Sequence, residues 1–281
     1  MRFRLIGPFE IVTEDGEVRH AGTPKVSQTL ALLLMRANEI VTAATLIQEL
    51  WQEGPPRSAL NTVQTYIHHA RKVLVEPGRP AEHEPLLTLR SGGYMMRVDD
   101  MAIDVKVFEQ LVSGASADIR ERRYGKAEAA LNQALGLWRG PLLWNVPSGT
   151  LLARRIVRLE EVRIRALELR IEVWSCLGRQ RDSIAELREL VRDYPLNESF
   201  HGHLISALHQ AGRRAEALQA YQDVHRILRD ELGLEPSADI QRLHQEVLTP
   251  ALPTIATRGC GRGGGTGNPR VTLLRRDSLT G

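Results

Sequence analysis

The chain has 281 residues, 37 Lys and Arg against 34 Asp and Glu, a formal net charge of +3, and 42% hydrophobic residues. These proportions suit a folded chain long enough for two domains, and they exclude a disordered or disulfide-stapled one. No apolar run approaches the ~18 residues that span a bilayer. Met1–Gly7 lacks the apolar stretch and small-residue cleavage site of a signal peptide, so a cytoplasmic protein with no membrane partner is expected. Cys176 and Cys260 have no metal-ligand spacing, and Cys176 falls in an apolar helical stripe where a buried, inert thiol is expected.

Residues 3–20 carry short apolar clusters (Phe3, Leu5 and Ile6; Phe9, Ile11 and Val12; Val18) broken at Gly7-Pro8 and Asp15-Gly16. Asp-Gly between extended runs is a hairpin signal, and a small antiparallel sheet is predicted. Thr23-Pro24 opens a helix, a cap residue followed by proline at the first helical position, with Leu30, Leu33, Leu34 and Ala37 on one face. A second helix starts at Thr42, carries Leu46, Ile47, Leu50 and Trp51, and stops at Gly54-Pro55-Pro56.

The third helix, about residues 57–75, is the most informative. Leu60, Val63, Ile67, Ala70 and Leu74 recur at steps of three and four and make a core-facing stripe. The opposite face reads Asn61, Gln64, Thr65, His68, Arg71 and Lys72. Each can donate a hydrogen bond, and residues 57–74 contain no acid. An ordinary solvated face mixes charge signs. This one suits a partner rich in acceptors, such as a nucleic acid. After a break at Pro77-Gly78, residues 85–98 form a hairpin that turns at Ser91-Gly92-Gly93 and carries Arg90 at its tip. Three helices followed by a hairpin is the winged helix-turn-helix order.

Residues 104–248 read as helical throughout, most clearly over about 150–177, where Leu152, Ile156, Leu159, Val162, Ala166, Leu169, Val173 and Leu177 form a stripe. Gly178-Arg179-Gln180 through Leu187 lines up with Gly212-Arg213-Arg214 through Tyr221 at an offset of 34, the tetratricopeptide period. A weaker first copy begins at Gly125, displaced by an insertion around Trp138-Arg139-Gly140-Pro141. Such pairs stack because one pair alone cannot bury its apolar face, and the stack offers a concave groove. Trp138, Trp144 and Trp174 fit either ordinary core or anchors for a protein in that groove. From Pro250 the periodicity ends, and the Gly- and Arg-rich remainder is expected to be a disordered basic tail. The predicted architecture is therefore mainly α. It comprises an α+β winged helix-turn-helix over 1–98, an all-α tetratricopeptide-like domain over 99–249 and a tail over 250–281.

The chain resembles the Streptomyces antibiotic regulatory protein family of transcriptional activators, which join an OmpR/PhoB-type winged helix to a bacterial transcriptional activation domain. The resemblance covers about residues 1–249. It rests on Ala59-Leu60-Asn61-Thr62-Val63-Gln64-Thr65-Tyr66-Ile67, similar to the family's recognition helix, and Leu89-Arg90-Ser91-Gly92-Gly93-Tyr94, similar to its wing. It also rests on Leu137-Trp138-Arg139-Gly140-Pro141-Leu142, on Ala211 through Tyr221, and on Glu231-Leu232-Gly233-Leu234-Glu235-Pro236. The class often carries Arg where His68 and His69 stand. The resemblance implies activation of a specialised-metabolite gene cluster, binding to direct repeats in double-stranded DNA near a promoter, self-association of protomers on that DNA and recruitment of RNA polymerase holoenzyme. Larger members append an ATPase domain. No Gly-rich loop followed by Lys-Ser/Thr occurs here, so a short, stand-alone member is expected.

On this reading Asn61, Gln64, Thr65 and His68 approach base edges in the major groove. Tyr66, His69, Arg71 and Lys72 bind phosphate or sugar, and Thr88 and Arg90 of the wing contact the backbone or the minor groove. Enzymatic readings fail on residues. There is no Gly-x-Ser-x-Gly elbow or Cys–His dyad, and His201 and His203, two apart on a helix, face different directions. No catalytic group, cofactor or metal is expected. The alternative from another class is a tetratricopeptide adaptor that binds protein and not DNA. The acid-free face of the third helix argues against it.

Overall fold

The computed structural model describes residues 1–75 and 85–249. The predicted tail, Cys260 and the Pro77-Gly78 break lie outside the described residues. Strands β1 (Arg2–Arg4), β2 (Glu10–Val12) and β3 (Val18–Arg19) form an antiparallel sheet in that order, with Phe3 opposite Ile11. Helix α1 (Pro24–Met35) follows Thr23, and α2 (Ala43–Trp51) follows Thr42, whose side chain accepts from the Thr45 amide at 3.1 Å. Between them lies the short strand β4 (Ile40–Val41). Helix α3 (Ala59–Val73) precedes the hairpin β5 (Leu87–Arg90) and β6 (Gly93–Met96), and β6 pairs with both β5 and β4. This is the winged helix-turn-helix anticipated from the element order.

A single 3-10 turn (Asp100–Ala102) leads into the helices α4 (Asp104–Arg120), α5 (Tyr124–Leu135), α6 (Thr150–Cys176), α7 (Gln180–Asp193), α8 (Glu198–Gln210), α9 (Arg214–Leu232) and α10 (Ala238–Leu248). The repeat is visible in the backbone. Arg122, Gly178 and Gly212 all adopt left-handed φ of 58°, 72° and 75°. The next residue's amide in each case bonds five residues back, from Arg123 to Asp118, from Arg179 to Trp174 and from Arg213 to Leu208. These are Schellman-type helix ends. Five residues beyond each turn a small side chain (Ala127, Ser183, Ala217) is fully packed, so that the paired helices approach closely.

The region is not helical throughout. Residues 136–149 are irregular, because Gly136, Gly140, Pro141, Pro147 and Gly149 interrupt any helical ladder. The segment instead docks on the N-terminal sheet. Leu143 donates to the carbonyl of Gly7 at 2.8 Å, and the Asn145 side chain accepts from the Phe9 amide at 2.7 Å. Arg139 reaches Glu10 at 2.7 Å and Asp104 at 3.7 Å. The Asp104 carboxylate accepts the amides of Leu5 and Ile6 at 2.8 and 3.0 Å. Burial pushes its pKa up, against the opposing pull of those amides and of Arg139. Leu142, Leu143 and Val146 fill the core, whereas Trp144 turns outward and is 66% exposed, contrary to a core role. Two other stripe residues also differ. Leu177 is 39% exposed and Cys176 is exposed, because both stand at the C-terminal turn of α6, past the packing of its neighbours.

One apolar core runs from Phe3 through α1–α3 and the wing into α4, α5 and α6 as far as Val173. A second core holds α7–α10 against the C-terminal half of α6. Across the first core, the α2 residue Glu49 is 1% exposed. Its carboxylate accepts the amides of Gly149, Leu151 and Leu152 at 2.6, 2.8 and 3.3 Å. These are the amides that the start of an α-helix leaves without intrahelical partners. The dipole of α6 further favours an anion there. Gln28 of α1 holds Glu49 from behind, donating to its main-chain carbonyl at 2.9 Å. A Cβ on Gly149 would collide with the Glu49 carbonyl oxygen and carboxylate, so only glycine admits this approach.

Two predictions follow from this packing. Glu49→Ala strands three buried amides and should lower the unfolding free energy by about 2–4 kcal/mol. Gly149→Ala should cost about 1–3 kcal/mol by overpacking the same contact. Urea titrations measure both, and losses below about 0.5 kcal/mol, typical of surface substitutions, would contradict the assignment. The pKa values of His201 and His203 are lowered by burial from the ordinary 6.5. Folding therefore favours their neutral forms. The stability this gives is fully present above 6.5 and lost as pH falls through the lowered values. The melting temperature should fall on acidification, and His203→Gln should lessen the fall. An unchanged pH profile in that variant would contradict the assignment.

Candidate nucleic-acid interface

The α3 helix buries one face and presents the other. Ala59, Val63, Ile67 and Ala70, with Leu74 just past its end, point into the first core. Asn61, Gln64, Thr65, His68, His69, Arg71 and Lys72 are exposed. No acid stands in its first turn, and Arg71 and Lys72 occupy its last, where a cation complements the helix dipole. The Thr65 hydroxyl donates to the carbonyl of Asn61 at 3.1 Å, which leaves its oxygen available as an acceptor. The rings of His68 and His69 lie 6.0 Å apart.

Two predicted positions have a structural duty as well. Tyr66 is half-buried, and its ring stacks on Trp51 of α2 with centroids 6.2 Å apart, so α2 fixes its direction. The Arg71 Nε donates to the carbonyl of Leu87 at 3.1 Å, which ties α3 to the first strand of the wing. The wing turns through Gly92, at φ +92°, and Gly93. A Cβ on Gly93 would collide with the carbonyl of Val41 in β4, so a glycine is required where the wing meets the body. Arg90 is exposed at the tip.

Thr88 is corrected. It faces inward and is buried, and among the described residues its hydroxyl has no hydrogen-bond partner, so it does not reach a duplex lying on α3. Burial along β5 follows distance from the tip: Leu87 and Thr88, at the base of the hairpin, are both covered, whereas Leu89, at 66%, and Arg90 next to the turn are exposed. Leu60 is corrected as well. It is 50% exposed, because Ala59 takes the inward position one residue earlier. The spacing from Leu60 to Val63 fits either helix face. Reading the larger side chain as core hid an apolar residue beside Gln64, one turn along on the exposed side.

Among the described residues no group of three His, Cys, Asp or Glu side chains could hold a metal ion, and no helix is long and apolar enough to cross a membrane.

A winged helix-turn-helix fused to a tetratricopeptide-like stack defines a class of bacterial transcriptional regulator. Residues 17–96 match the family model "Transcriptional regulatory protein, C terminal", and residues 103–248 match "Bacterial transcriptional activator domain". The chain belongs to the Streptomyces antibiotic regulatory protein family of transcriptional regulators. It is 34% identical to the regulatory protein DnrI of Streptomyces peucetius over 88% of this chain and 92% of that one. It is 37% identical to the regulatory protein AfsR of Streptomyces coelicolor over 91% of this chain, yet spans only 25% of AfsR. The solved structure of Mycobacterium tuberculosis EmbR, in complex with a low-affinity phosphopeptide, superposes with a TM-score of 0.80 at 29% identity. That match covers 88% of this chain and 64% of EmbR.

Because the Thr88 hydroxyl is buried without a partner among the described residues, Thr88→Val should be neutral or stabilising by about 1 kcal/mol in urea and should leave duplex affinity unchanged. Weakened duplex binding by a normally folded Thr88→Val protein would restore Thr88 to the interface.

Proposed function

We propose that this protein binds a specific double-stranded DNA sequence near promoters and activates transcription there, in the cytoplasm. The reading rests on one observation. Apart from Leu60, the exposed face of α3 is built from hydrogen-bond donors without an acid, while its reverse is sealed in the core. Duplex DNA offers acceptors of two kinds, phosphate oxygens and base edges.

In the proposed complex α3 enters the major groove, with Asn61, Gln64, Thr65 and His68 at base edges and the Leu60 side chain against a thymine methyl. Lys72, Arg71 and His69, with the hydroxyl of Tyr66, contact phosphate or sugar and set the register. Arg90 of the wing reaches the adjacent backbone or minor groove. Membership of the family supports the finer reading. Two or more protomers bind side by side on direct repeats, RNA polymerase is recruited through protein contacts, and the controlled genes form a specialised-metabolite cluster. Promoters beside the protein's own gene serve as test substrates, which makes the proposal testable without a known operator.

Fluorescence anisotropy with those promoters, at several salt concentrations, separates the two kinds of contact. Lys72→Ala should weaken binding to every duplex and make the slope of log K against log salt shallower by roughly 0.9. Gln64→Ala should cost about 1–3 kcal/mol on the cognate sequence alone. Wild-type binding by both variants would remove α3 from the groove. A wild-type protein indifferent to any duplex at low salt would favour an adaptor that binds protein.

A further inference from the structure

Two imidazoles stand side by side on the face of α3 proposed to meet DNA. His68 and His69 are exposed, their rings lie 6.0 Å apart, and among the described residues neither ring is hydrogen-bonded. Helical spacing sets Arg71 on the same row as His68, and Lys72 on the same row as His69. Tyr66 on the same helix is stacked on Trp51. The elements packed on α3 leave this face cationic. Helix α1 brings one charged group, Lys25, which donates to the Leu50 carbonyl. Helix α2 brings only Glu49, buried against the start of α6. The wing strands bring only Arg90. Past the end of α3, Arg19 holds the Val75 carbonyl and is paired with Glu17 at 3.1 Å. Glu53 and Arg57, in the connection from α2, carry opposite charges.

Imidazole is the side chain whose charge ordinarily changes between about pH 5 and 8. A phosphate within about 4–6 Å favours its charged form. The charged ring has two donors and no acceptor, which suits phosphate oxygen and the O6 and N7 acceptors of guanine. A neutral ring keeps one nitrogen as an acceptor, which those oxygens repel. We propose, on the DNA-binding reading above, that His68 and His69 take up protons from the buffer when the duplex docks, so that the protein holds DNA more tightly as pH falls. The complex then carries more protons than its separated parts. Affinity is therefore greatest on the acid side and is lost as pH rises through neutrality. The buried histidines of α8 act in the opposite direction. Burial favours the neutral forms of His201 and His203, so acid weakens the fold through them and cannot tighten binding.

Fluorescence anisotropy of the full chain with promoter duplex, at constant salt and at about pH 6, 7 and 8, tests it. Wild-type affinity should fall roughly tenfold from the lowest value to the highest, the scale of one ring charged in the complex and neutral in the free protein. The slope of log K against log salt should be steeper at the acid end by about 0.9 for each proton taken up. His68→Gln combined with His69→Gln, at exposed positions, keeps polar side chains without a titrating ring. That variant should show the same affinity and the same salt slope at every pH. Titration calorimetry in two buffers of different ionisation enthalpy counts the protons, roughly one for the wild type near neutral pH and none for the double variant. A wild type that binds the duplex equally at all three pH values, without proton uptake, overturns the proposal and leaves the DNA-binding reading standing. A pH dependence that survives in the double variant overturns it as well. A wild type that binds no duplex at any of these values removes the DNA-binding reading itself, and the proposal with it.

Discussion

A carboxylate taken out of water needs compensation, and Glu49 finds it a hundred residues away in the chain. Three amides at the start of α6 converge on its two oxygens, and the Gln28 side chain secures the backbone behind it. The apolar core that surrounds this contact supplies most of the cohesion, but dispersion and burial have little directionality. The carboxylate supplies the register. It permits one seating of α6 on α2, because a shifted helix would leave both the anion and its amides unsatisfied inside the protein. Since α3 packs on α1 and α2 in the same core, the helix proposed to meet DNA is held at a fixed angle to the helical stack.

The motif around Trp138 reinforces that angle. The Leu137–Leu142 segment, a hallmark of the family at the level of sequence, acts here as a clasp. Arg139 bridges Glu10 and Asp104 across the junction, and Leu143 and Asn145 add backbone bonds to the first strands. The first helical unit therefore belongs physically with the winged helix. The later repeats form a second core of their own, and α6 runs through both. For a regulator, this places the far end of the helical stack at a set position whenever the winged helix is docked.

Much of this was legible in the sequence because its causes are local. Thr23-Pro24 and Thr42 mark helix starts through cap geometry, and Asp15-Gly16 lies at the turn between β2 and β3. The 34-residue offset reflects a repeated left-handed turn that needs no distant partner. What was not legible depends on tertiary contacts. Glu49 looks like any acid on an amphipathic helix until α6 arrives. Leu60 and Ala59 compete for one inward position, and apolar size favoured the wrong one. Thr88 was placed by its position on the wing, yet it lies at the base of the hairpin, where the body of the domain covers it together with Leu87. The polar face of α3 was readable because an absence of acids over about four helical turns is a property of composition alone.

Native-state hydrogen exchange on the wild type and Glu49→Ala tests the shared register most directly. A single cooperative unit predicts that amides in α1 and α2 and those in α4 and the first half of α6 open with the same free energy, and that the substitution lowers all of them together. Protection that falls in α6 alone, with α1 and α2 unchanged, would show two independently stable units and contradict the account.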